Sequence, residues 1–161
     1  GQRRPIRARG LNERAMARFL GDDWLLPALD EQNRAYFTAG ELMVQACRDC
    51  VHAQHPPEDL CRACGGHDVG PRRSEGRGRI ESIAVVHHAV HPQLKPRVPY
   101  AVVLVSIDDA PGVSLLGNVV NAAPSQLCIG ARVRVVFEEA VDPDSGERLF
   151  IPQWELDPSD T

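Results

Sequence analysis

Two pairs of cysteines constrain the fold of this chain more than any other feature. Cys47 and Cys50 form one C-x-x-C pair, ten residues follow, and Cys61 and Cys64 form the second pair. This spacing lets four thiolates close tetrahedrally on one metal ion, as in a structural zinc ribbon. Four sulfur ligands leave no coordination position for a substrate or a water molecule. We therefore predict a structural Zn²⁺ that stabilises the fold.

The same four cysteines have two alternative interpretations, a pair of disulfide bonds or a redox-active C-x-x-C motif. His52, His55 and His67 lie nearby and are further ligand candidates. Because four thiols already complete the ligand set, we expect these histidines to be solvated loop residues. Gly65 and Gly66 follow the second pair and are predicted to turn the chain back with positive φ.

Composition indicates an ordinary soluble protein. The 161 residues carry a net charge of -4, and 43% of them are hydrophobic. This charge gives no general reason to bind nucleic acid or an anionic membrane. The sequence contains neither an apolar run of about eighteen residues nor a signal-peptide pattern. We expect a cytoplasmic protein with reduced cysteines.

The first forty residues are predicted to contain a basic arm and two short helices. Residues 1–10 carry four arginines without apolar periodicity, which is typical of a flexible arm. Apolar side chains recur at helical spacing over 11–20, and Asp30 is predicted to cap a second helix that ends at Gly40. Helices this short are unstable alone in water, so each must pack against this chain or a partner.

The pattern after the second cysteine pair is that of a β domain. Residues 42–46 alternate as a short strand that leads into the first pair, and 71–78 form a basic, glycine-containing hinge. Beyond the hinge the apolar period becomes two, and five strands are predicted at 80–90, 100–107, 113–120, 132–140 and 149–154. Five strands are too few for a sandwich and fit a partly open OB-type barrel.

The predicted organisation is mostly β. It comprises a basic arm (1–10), short N-terminal helices (11–40), a rubredoxin-like zinc ribbon (41–70), the hinge (71–78), a five-stranded OB-fold barrel (79–156) and a tail (157–161). The run 113–120 contains consecutive apolar residues, so we expect burial on both faces, by the helices or by a partner. Cys128 stands between Leu127 and Ile129 and is expected to be a buried, inert thiol.

Several motifs resemble those of a known family. They are Leu26-Pro27 with Leu29-Asp30, the two cysteine pairs, Gly76-Arg77-Gly78 leading to Val85-Val86-His87, Val98-Pro99-Tyr100, and the segment from Arg132 to Phe137. In this order they resemble the zinc-ribbon OB-fold family known as domain of unknown function thirty-five, over about residues 22–154.

The resemblance implies an accessory role. Members of that family resemble small non-catalytic subunits that bind thiolase-superfamily enzymes, either acyltransferases or lipid-transfer-protein-like aldolases of steroid side-chain degradation. The partner holds the catalytic residues, and the accessory subunit helps to shape an acyl-CoA path. This sequence contains no hydratase or thiolase segment, so we expect the partner on another chain of a hetero-oligomer.

Under this interpretation the hinge arginines have a candidate ligand. Guanidinium groups bind phosphate oxygens in a bidentate geometry, so Arg72, Arg73 and Arg77 are candidates for the phosphates of coenzyme A at the partner interface. A solvated basic linker is the alternative for the same three residues.

Three other functions compete with the accessory role. Independent catalysis would need His87, His88 and His91 to converge with Asp108 or Asp109. Single-stranded nucleic-acid binding would need aromatic platforms, and Tyr100 is the one aromatic on the first three predicted barrel strands. A free-standing acyl-CoA-binding protein is the third alternative.

Overall fold

The computed structural model describes residues 19–21 and 24–157, which form one short α-helix and two antiparallel sheets. Helix α1 spans Arg34–Thr38. A three-stranded sheet in the order β2-β1-β3 contains β1 (Met43–Cys47), β2 (Ala53–Gln54) and β3 (Val69–Arg73). A five-stranded sheet in the order β6-β5-β4-β7-β8 contains β4 (Arg77–Val86), β5 (Tyr100–Ile107), β6 (Ser114–Asn118), β7 (Arg132–Val141) and β8 (Arg148–Leu156). The prediction of a mostly β chain with a ribbon and a five-stranded OB-type sheet is confirmed.

The five-stranded sheet closes on itself after β6. Val119 forms a parallel bridge with Trp154, and the Val120 N–H donates to the Trp154 carbonyl at 2.8 Å. Gly117 permits this closure, because a Cβ at that position would lie 2.7 Å from Cδ1 of the Trp154 ring. The indole therefore fills the end of the barrel, where it is only 2% exposed.

The ribbon and the barrel share one hydrophobic core. Leu42, Val44 and Ala53 come from the region of the three-stranded sheet, yet they belong to the cluster that contains Val103 and Val133 of the barrel. Apolar burial is the main favourable term in folding, so this shared cluster couples the stability of the two parts. The remaining members of the cluster are Ile80, Val105, Ile107, Ala110, Val113, Leu115, Val119 and Trp154.

The second predicted helix is shorter than expected. Asp30 and Asn33 exchange hydrogen bonds, since the Asn33 N–H donates to Asp30 Oδ1 at 2.7 Å and the Asp30 N–H donates to Asn33 Oδ1 at 2.9 Å. Asp30 therefore caps the turn before α1, and Asn33 is the residue at the helix N-cap. Gly40 follows with φ +68°. The helix predicted over 11–20 lies outside the described residues except for its last two positions.

The segment predicted as a hinge is largely strand. Residues 71–73 belong to β3, and β4 begins at Arg77, so three residues connect the two sheets. These three residues are hydrogen-bonded to both sides: the Ser74 N–H donates to the Leu42 carbonyl at 2.8 Å, and the Val135 N–H donates to the Gly76 carbonyl at 2.7 Å. The connection is therefore a fixed joint within the single chain.

One burial expectation is corrected by the structure, and another is met on one face of its segment. Cys128 is exposed rather than buried, because the segment before β7 is a surface loop in which Ile129 is 71% exposed. The run 113–120 is buried on one face only: Leu115 is 2% exposed, whereas Leu116 is 71% exposed. Helix α1 packs on β8 and β1.

Candidate metal centre

The four predicted ligands converge on one point. The Sγ atoms of Cys47, Cys50, Cys61 and Cys64 all lie within 4.8 Å of one another. Cys47 Sγ is 3.7 Å from Cys64 Sγ, and Cys50 Sγ is 3.6 Å from Cys61 Sγ. A tetrahedron with Zn–S bonds of about 2.3 Å has edges of about 3.8 Å, so the arrangement fits zinc. The thiols are free, and the disulfide interpretation is wrong.

The first knuckle, Cys47–Cys50, is built on the end of a strand. Cys47 is the last residue of β1 and is paired with Val69 of β3. Its N–H donates to the His52 carbonyl at 2.9 Å, and the Val51 N–H returns to the Cys47 carbonyl at 3.1 Å. Val51 has φ +57°, an uncommon conformation for a β-branched residue, and its side chain is 83% exposed.

The second knuckle, Cys61–Cys64, follows the same local pattern without a strand beneath it. The Gly65 N–H donates to the Cys61 carbonyl at 2.8 Å, and the Cys61 N–H donates to the Gly66 carbonyl at 2.8 Å. Gly65 has the predicted positive φ, +75°, but Gly66 is not among the positive-φ residues. Gly66 instead provides space, because a Cβ there would lie 2.7 Å from Asp49 Oδ2.

The close approach of the four thiols shifts their pKa values in opposite directions. The backbone N–H of Cys64, followed by that of Ala63, lowers the pKa of Cys61 to about 7. The N–H of His52 acts in the same direction on Cys50, but the neighbouring thiols of Cys64, Cys61 and Cys47, together with burial, raise its pKa to about 12. Four like charges this close are mutually unfavourable, and a bound metal ion reverses that preference.

The nearby histidines are not part of the ligand group found in the described ranges, which contains cysteines alone. His55 stacks on Tyr36 with ring centroids 4.9 Å apart, and both line a cavity of about 680 Å³ between α1 and the ribbon. Burial, and then the charge of Arg62, lowers the pKa of His55, while burial raises the pKa of Tyr36 to about 12. His55 is therefore a packing residue, not the solvated loop residue that was predicted.

The three hinge arginines have partners within the chain. Arg72 donates to the Asp109 carbonyl at 2.8 Å, Arg73 lies 3.1 Å from a Glu41 carboxylate oxygen, and Arg77 lies 2.9 Å from an Asp157 oxygen. Arg72 and Arg73 are successive residues of β3, so their side chains leave opposite faces of the sheet. The side chain of Arg73 is 70% exposed and that of Arg77 is 48% exposed.

Asp109 fastens the joint between the two sheets. Its carboxylate accepts the Ser74 hydroxyl at 2.6 Å and the Glu75 N–H at 3.0 Å. Burial alone raises the pKa of Asp109, but these two hydrogen bonds and the charge of Arg72 outweigh it, and the net pKa lies below its usual range. The sequence gives Asp109 as a catalytic candidate, whereas its contacts are those of a structural acceptor.

The residues proposed for independent catalysis do not converge. In the β4–β5 pair Val86 lies opposite Tyr100, and Gly78 lies opposite Ile107. His87 and the other two histidines therefore follow one end of the pair, while Asp108 and Asp109 follow the other. A strand of eight residues separates the two ends by about 25 Å.

The outer face of strands β4, β5 and β6 is mostly aliphatic. Val103 and Val105 of β5 point into the core, so Val102 and Leu104 lie on the outer face. The register places Val102 between Ala84 and Asn118, and Leu104 between Ser82 and Leu116. We call these six residues the outer face. Their aromatic neighbour on these strands is Tyr100, at the end of β5.

Two buried side chains next to the second knuckle are absent from the sequence predictions. Gln45 and Gln54 are 9% and 3% exposed, and their amides hydrogen-bond to each other and to the loop that carries the second knuckle. Alternation in 42–46 places Gln45 on the polar side of its strand. The loop 55–60 buries Gln45, and no local pattern in the sequence predicts that contact.

A closed four-cysteine ribbon joined to a five-stranded OB-type barrel defines a zinc-ribbon OB-fold protein. Two family models match the chain in the same order: the rubredoxin-like zinc ribbon domain of ChsH2 over residues 36–70, and the C-terminal OB-fold domain of ChsH2 over residues 71–138. The chain belongs to the ChsH2 family. The zinc-ribbon prediction and the family resemblance are confirmed.

The proteins similar to this chain include two curated hydratase subunits and a chain of one solved structure. A probable enoyl-CoA hydratase alpha subunit from Thermomonospora curvata is 34% identical over 129 residues, which are 78% of this chain and 39% of that protein. A 3-oxo-4,17-pregnadiene-20-carboxyl-CoA hydratase alpha subunit from Mycobacterium tuberculosis is 30% identical over 85% of this chain and 40% of that protein. The chain thus spans about two fifths of these relatives.

The solved structure is described as the Ltp2-ChsH2(DUF35) aldolase. One of its chains superimposes with a TM-score of 0.68 and 32% identity, and the match covers 81% of this chain and 98% of that one. Within residues 19–21 and 24–157, no helix is both long enough and apolar enough to cross a membrane.

Proposed function

We propose that this chain is a non-catalytic accessory subunit that binds and supports a thiolase-superfamily enzyme acting on an acyl-CoA. The observation that carries the proposal is the match over 98% of the length of a chain in the Ltp2-ChsH2(DUF35) aldolase, at 32% identity. The hydratase alpha subunits support the acyl-CoA substrate class, because both are named for CoA thioesters.

The arrangement of polar side chains supports a non-catalytic role. The metal site is saturated by four sulfur atoms, and the histidines and aspartates that were catalytic candidates lie at opposite ends of the β4–β5 pair. A reaction centre needs a nucleophile, a base and a stabilising group within contact distance of one substrate atom. The partner enzyme would supply these groups.

The outer face supports a protein partner over nucleic acid. It presents Val102, Leu104 and Leu116 side by side, with Leu116 71% exposed. Aliphatic side chains bury well against another protein, whereas single-stranded nucleic acid requires aromatic stacking platforms in a positive groove. A thiolase-like subunit that covers this face would complete the two-sided burial that the run 113–120 predicts.

For coenzyme A we propose contacts from Arg73 and Arg77, whose exposed guanidinium groups flank the joint. Each is held by one carboxylate, from Glu41 or Asp157, and a guanidinium has five N–H donors, so each retains donors for a phosphate. Arg72 completes the predicted set but is half-buried against the Asp109 carbonyl. We propose that it orients the joint on which the other two are mounted.

Affinity purification of the full chain from its native extract tests the main proposal. We expect mass spectrometry to identify a thiolase-like subunit in stoichiometric amount. Leu116→Asp should remove that subunit, whereas Val141→Asp, at a residue 59% exposed on β7, should retain it. Recovery of nucleic acid alone would overturn the proposal, and equal binding by both variants would exclude the outer face.

Charge reversal tests the arginines separately. Arg73→Glu with Arg77→Glu should raise the KM of the reconstituted complex for its acyl-CoA at least tenfold and leave the KM for the acyl group on a short thioester unchanged. Arg148→Glu is the matched control, because Arg148 is also exposed and paired with one carboxylate, Glu139. An unchanged KM in the double variant would refute CoA binding by these arginines while leaving the accessory role intact.

A further inference from the structure

The second knuckle lacks the support that holds the first. In the described part of the chain, residues 55–68 contain no strand, so Cys61–Cys64 is not part of the β2-β1-β3 ladder. Cys47 in contrast is a ladder residue paired with Val69. The geometry of the zinc site nevertheless requires both knuckles to be placed equally well, because all four sulfurs share one centre.

One side chain replaces the missing ladder. The Gln54 amide hydrogen-bonds to the residues before and after Cys61. Its Nε2 donates to the Leu60 carbonyl at 3.0 Å, and its Oε1 accepts the Arg62 N–H at 2.9 Å. A backbone strand would make the same two bonds to the residues before and after Cys61. Gln54 is the last residue of β2 and is 3% exposed, so its position is fixed by packing.

Gln45 holds Gln54 in this orientation. The two residues lie directly opposite each other in the β1–β2 pair. Gln45 Oε1 accepts Gln54 Nε2 at 2.7 Å and the Glu58 N–H at 2.9 Å, while Gln45 Nε2 donates to the Glu58 carbonyl at 2.8 Å. Both Nε2 protons of Gln54 are therefore used, one on Gln45 and one on Leu60. The Gln45 bonds fix which end of the Gln54 amide carries the oxygen.

We propose that Gln54, oriented by Gln45, is a positioning residue for the metal site. The pair, which we call the amide clamp, holds the second knuckle in its metal-binding geometry, so that the loop 55–64 does not open to release the ion. Partners that orient metal ligands affect metal affinity by about 10- to 100-fold. An amide is needed at both positions, because each side chain must donate and accept at once.

Metal release from the zinc-loaded full chain to a chromogenic chelator tests the clamp. We expect Gln54→Leu and Gln54→Glu to release zinc about 10- to 100-fold faster than the unsubstituted chain. Gln54→Glu keeps the size of the side chain but loses both Nε2 donors, the one to Gln45 Oε1 and the one to the Leu60 carbonyl, and adds a negative charge. Gln45→Leu should accelerate release as well. In the Gln45→Leu/Gln54→Leu double variant, the change in the logarithm of the release rate should be smaller than the sum of the changes in the two single variants.

The control is a buried glutamine elsewhere. Gln153 is 2% exposed, donates to Glu138 at 2.7 Å and accepts from Asn118 at 3.1 Å in the barrel. Gln153→Leu should lower thermal stability and leave zinc release unchanged below the unfolding transition. Wild-type release rates in both Gln54 variants, or equal acceleration by Gln153→Leu, would overturn the proposal.

Spectroscopy separates positioning from ligation. With Co²⁺ in place of zinc, the sulfur-to-metal charge-transfer band at saturation should be the same in Gln54→Glu and in the unsubstituted chain, because all four thiolates still bind. Only the release rate should change. A reduced band at saturation would show that a ligand has been lost, and the clamp would then be refuted as a positioning device. If Gln54→Leu does not fold, Gln54→Glu and Gln45→Leu provide the same test.

Discussion

The two knuckles place the same four-residue motif on different supports. The first knuckle begins at the last residue of β1 and is held by the backbone hydrogen bonds between β1 and β3. The second lies in a loop and is fixed by the Gln54 amide and by its own turn. The residue after the motif also differs, Val51 in the first and Gly65 in the second, although both have positive φ. The knuckles thus share their chemistry but differ in what keeps them in place.

Loss of a cysteine ligand should affect the two knuckles more than any other change. Cys47→Ser and Cys61→Ser should each weaken zinc binding strongly, because each removes one of the four thiolate ligands. In Cys61→Ser, we expect hydrogen exchange to show that the backbone amides of β1 and β3 are still protected. In Cys47→Ser, we expect the backbone amides to lose protection from β1 onward. Partner binding should fall with zinc in both variants. Cys128→Ser, at an exposed thiol, is the control and should change neither property.

We propose that the zinc site stiffens the chain so that the outer face is offered to the partner as one rigid surface. A variant that loses zinc but keeps its partner would refute this role. Equal loss of protection in the two cysteine variants would instead remove the difference between the knuckles.

The joint between the two sheets should lose stability in acid. Because the pKa of Asp109 is lower in the folded chain than in the unfolded one, its contribution to stability is present above about pH 4 and is lost as the pH falls through the folded value. Asp109→Asn should lower the free energy of unfolding at pH 7 by about 1 kcal/mol, the usual worth of such hydrogen bonds at a partly solvated group.

The pH dependence distinguishes this cause from a general packing defect. The difference between Asp109→Asn and the unsubstituted chain should shrink when denaturant unfolding is repeated near pH 3. A difference that stays constant from pH 7 to pH 3 would contradict the assignment. Asp144→Asn, at an exposed loop residue, is the control.

Exchange of the residues at the positive-φ positions should have a smaller effect. A β-branched residue in the left-handed region costs about 1–2 kcal/mol, of which a glycine substitution returns about half after the extra entropy of the unfolded chain is counted. Val51→Gly should therefore stabilise the zinc-loaded chain by about 0.5–1 kcal/mol in thermal or denaturant unfolding.

Gly65→Val is the matched reversal, because the space around Gly65 is open and only its φ of +75° resists the side chain. It should destabilise the second knuckle by about 1–2 kcal/mol. Destabilisation by Val51→Gly would show that the exposed Val51 side chain makes a contact that outweighs its backbone cost.

The surface ion pairs should contribute least. Each knuckle carries one exposed pair, Arg48 with Asp68 at the first and Arg62 with Glu58 at the second. Solvent-exposed pairs contribute little to stability and are screened by salt. Arg48→Ala and Arg62→Ala should leave the melting temperature and the zinc release rate unchanged within error. A clear effect of Arg62→Ala alone would show that the second knuckle depends on charge as well as on the amide clamp.

The predictions from sequence succeeded where the determinants are local. The spacing of four cysteines contains the ligand set, and period-two patterns contain the five strands; the second predicted strand, 100–107, coincides with β5. They failed where burial depends on another segment. Cys128 has apolar neighbours in sequence but lies in a surface loop, and His55 stands in a loop but stacks on Tyr36 of α1.

The sequence by itself therefore determined three properties of this protein: its four sulfur ligands, its β-rich fold and its family, which short motifs identify. Tertiary structure alone decided which polar groups serve that chemistry. Gln45 and Gln54 become a clamp, and Asp109 becomes the fastening of the joint, only because residues distant in sequence enclose them. The reason is physical. A ligand set is fixed by residue type and spacing, whereas the hydrogen-bond partner of a buried amide or carboxylate is fixed by whatever the fold brings next to it.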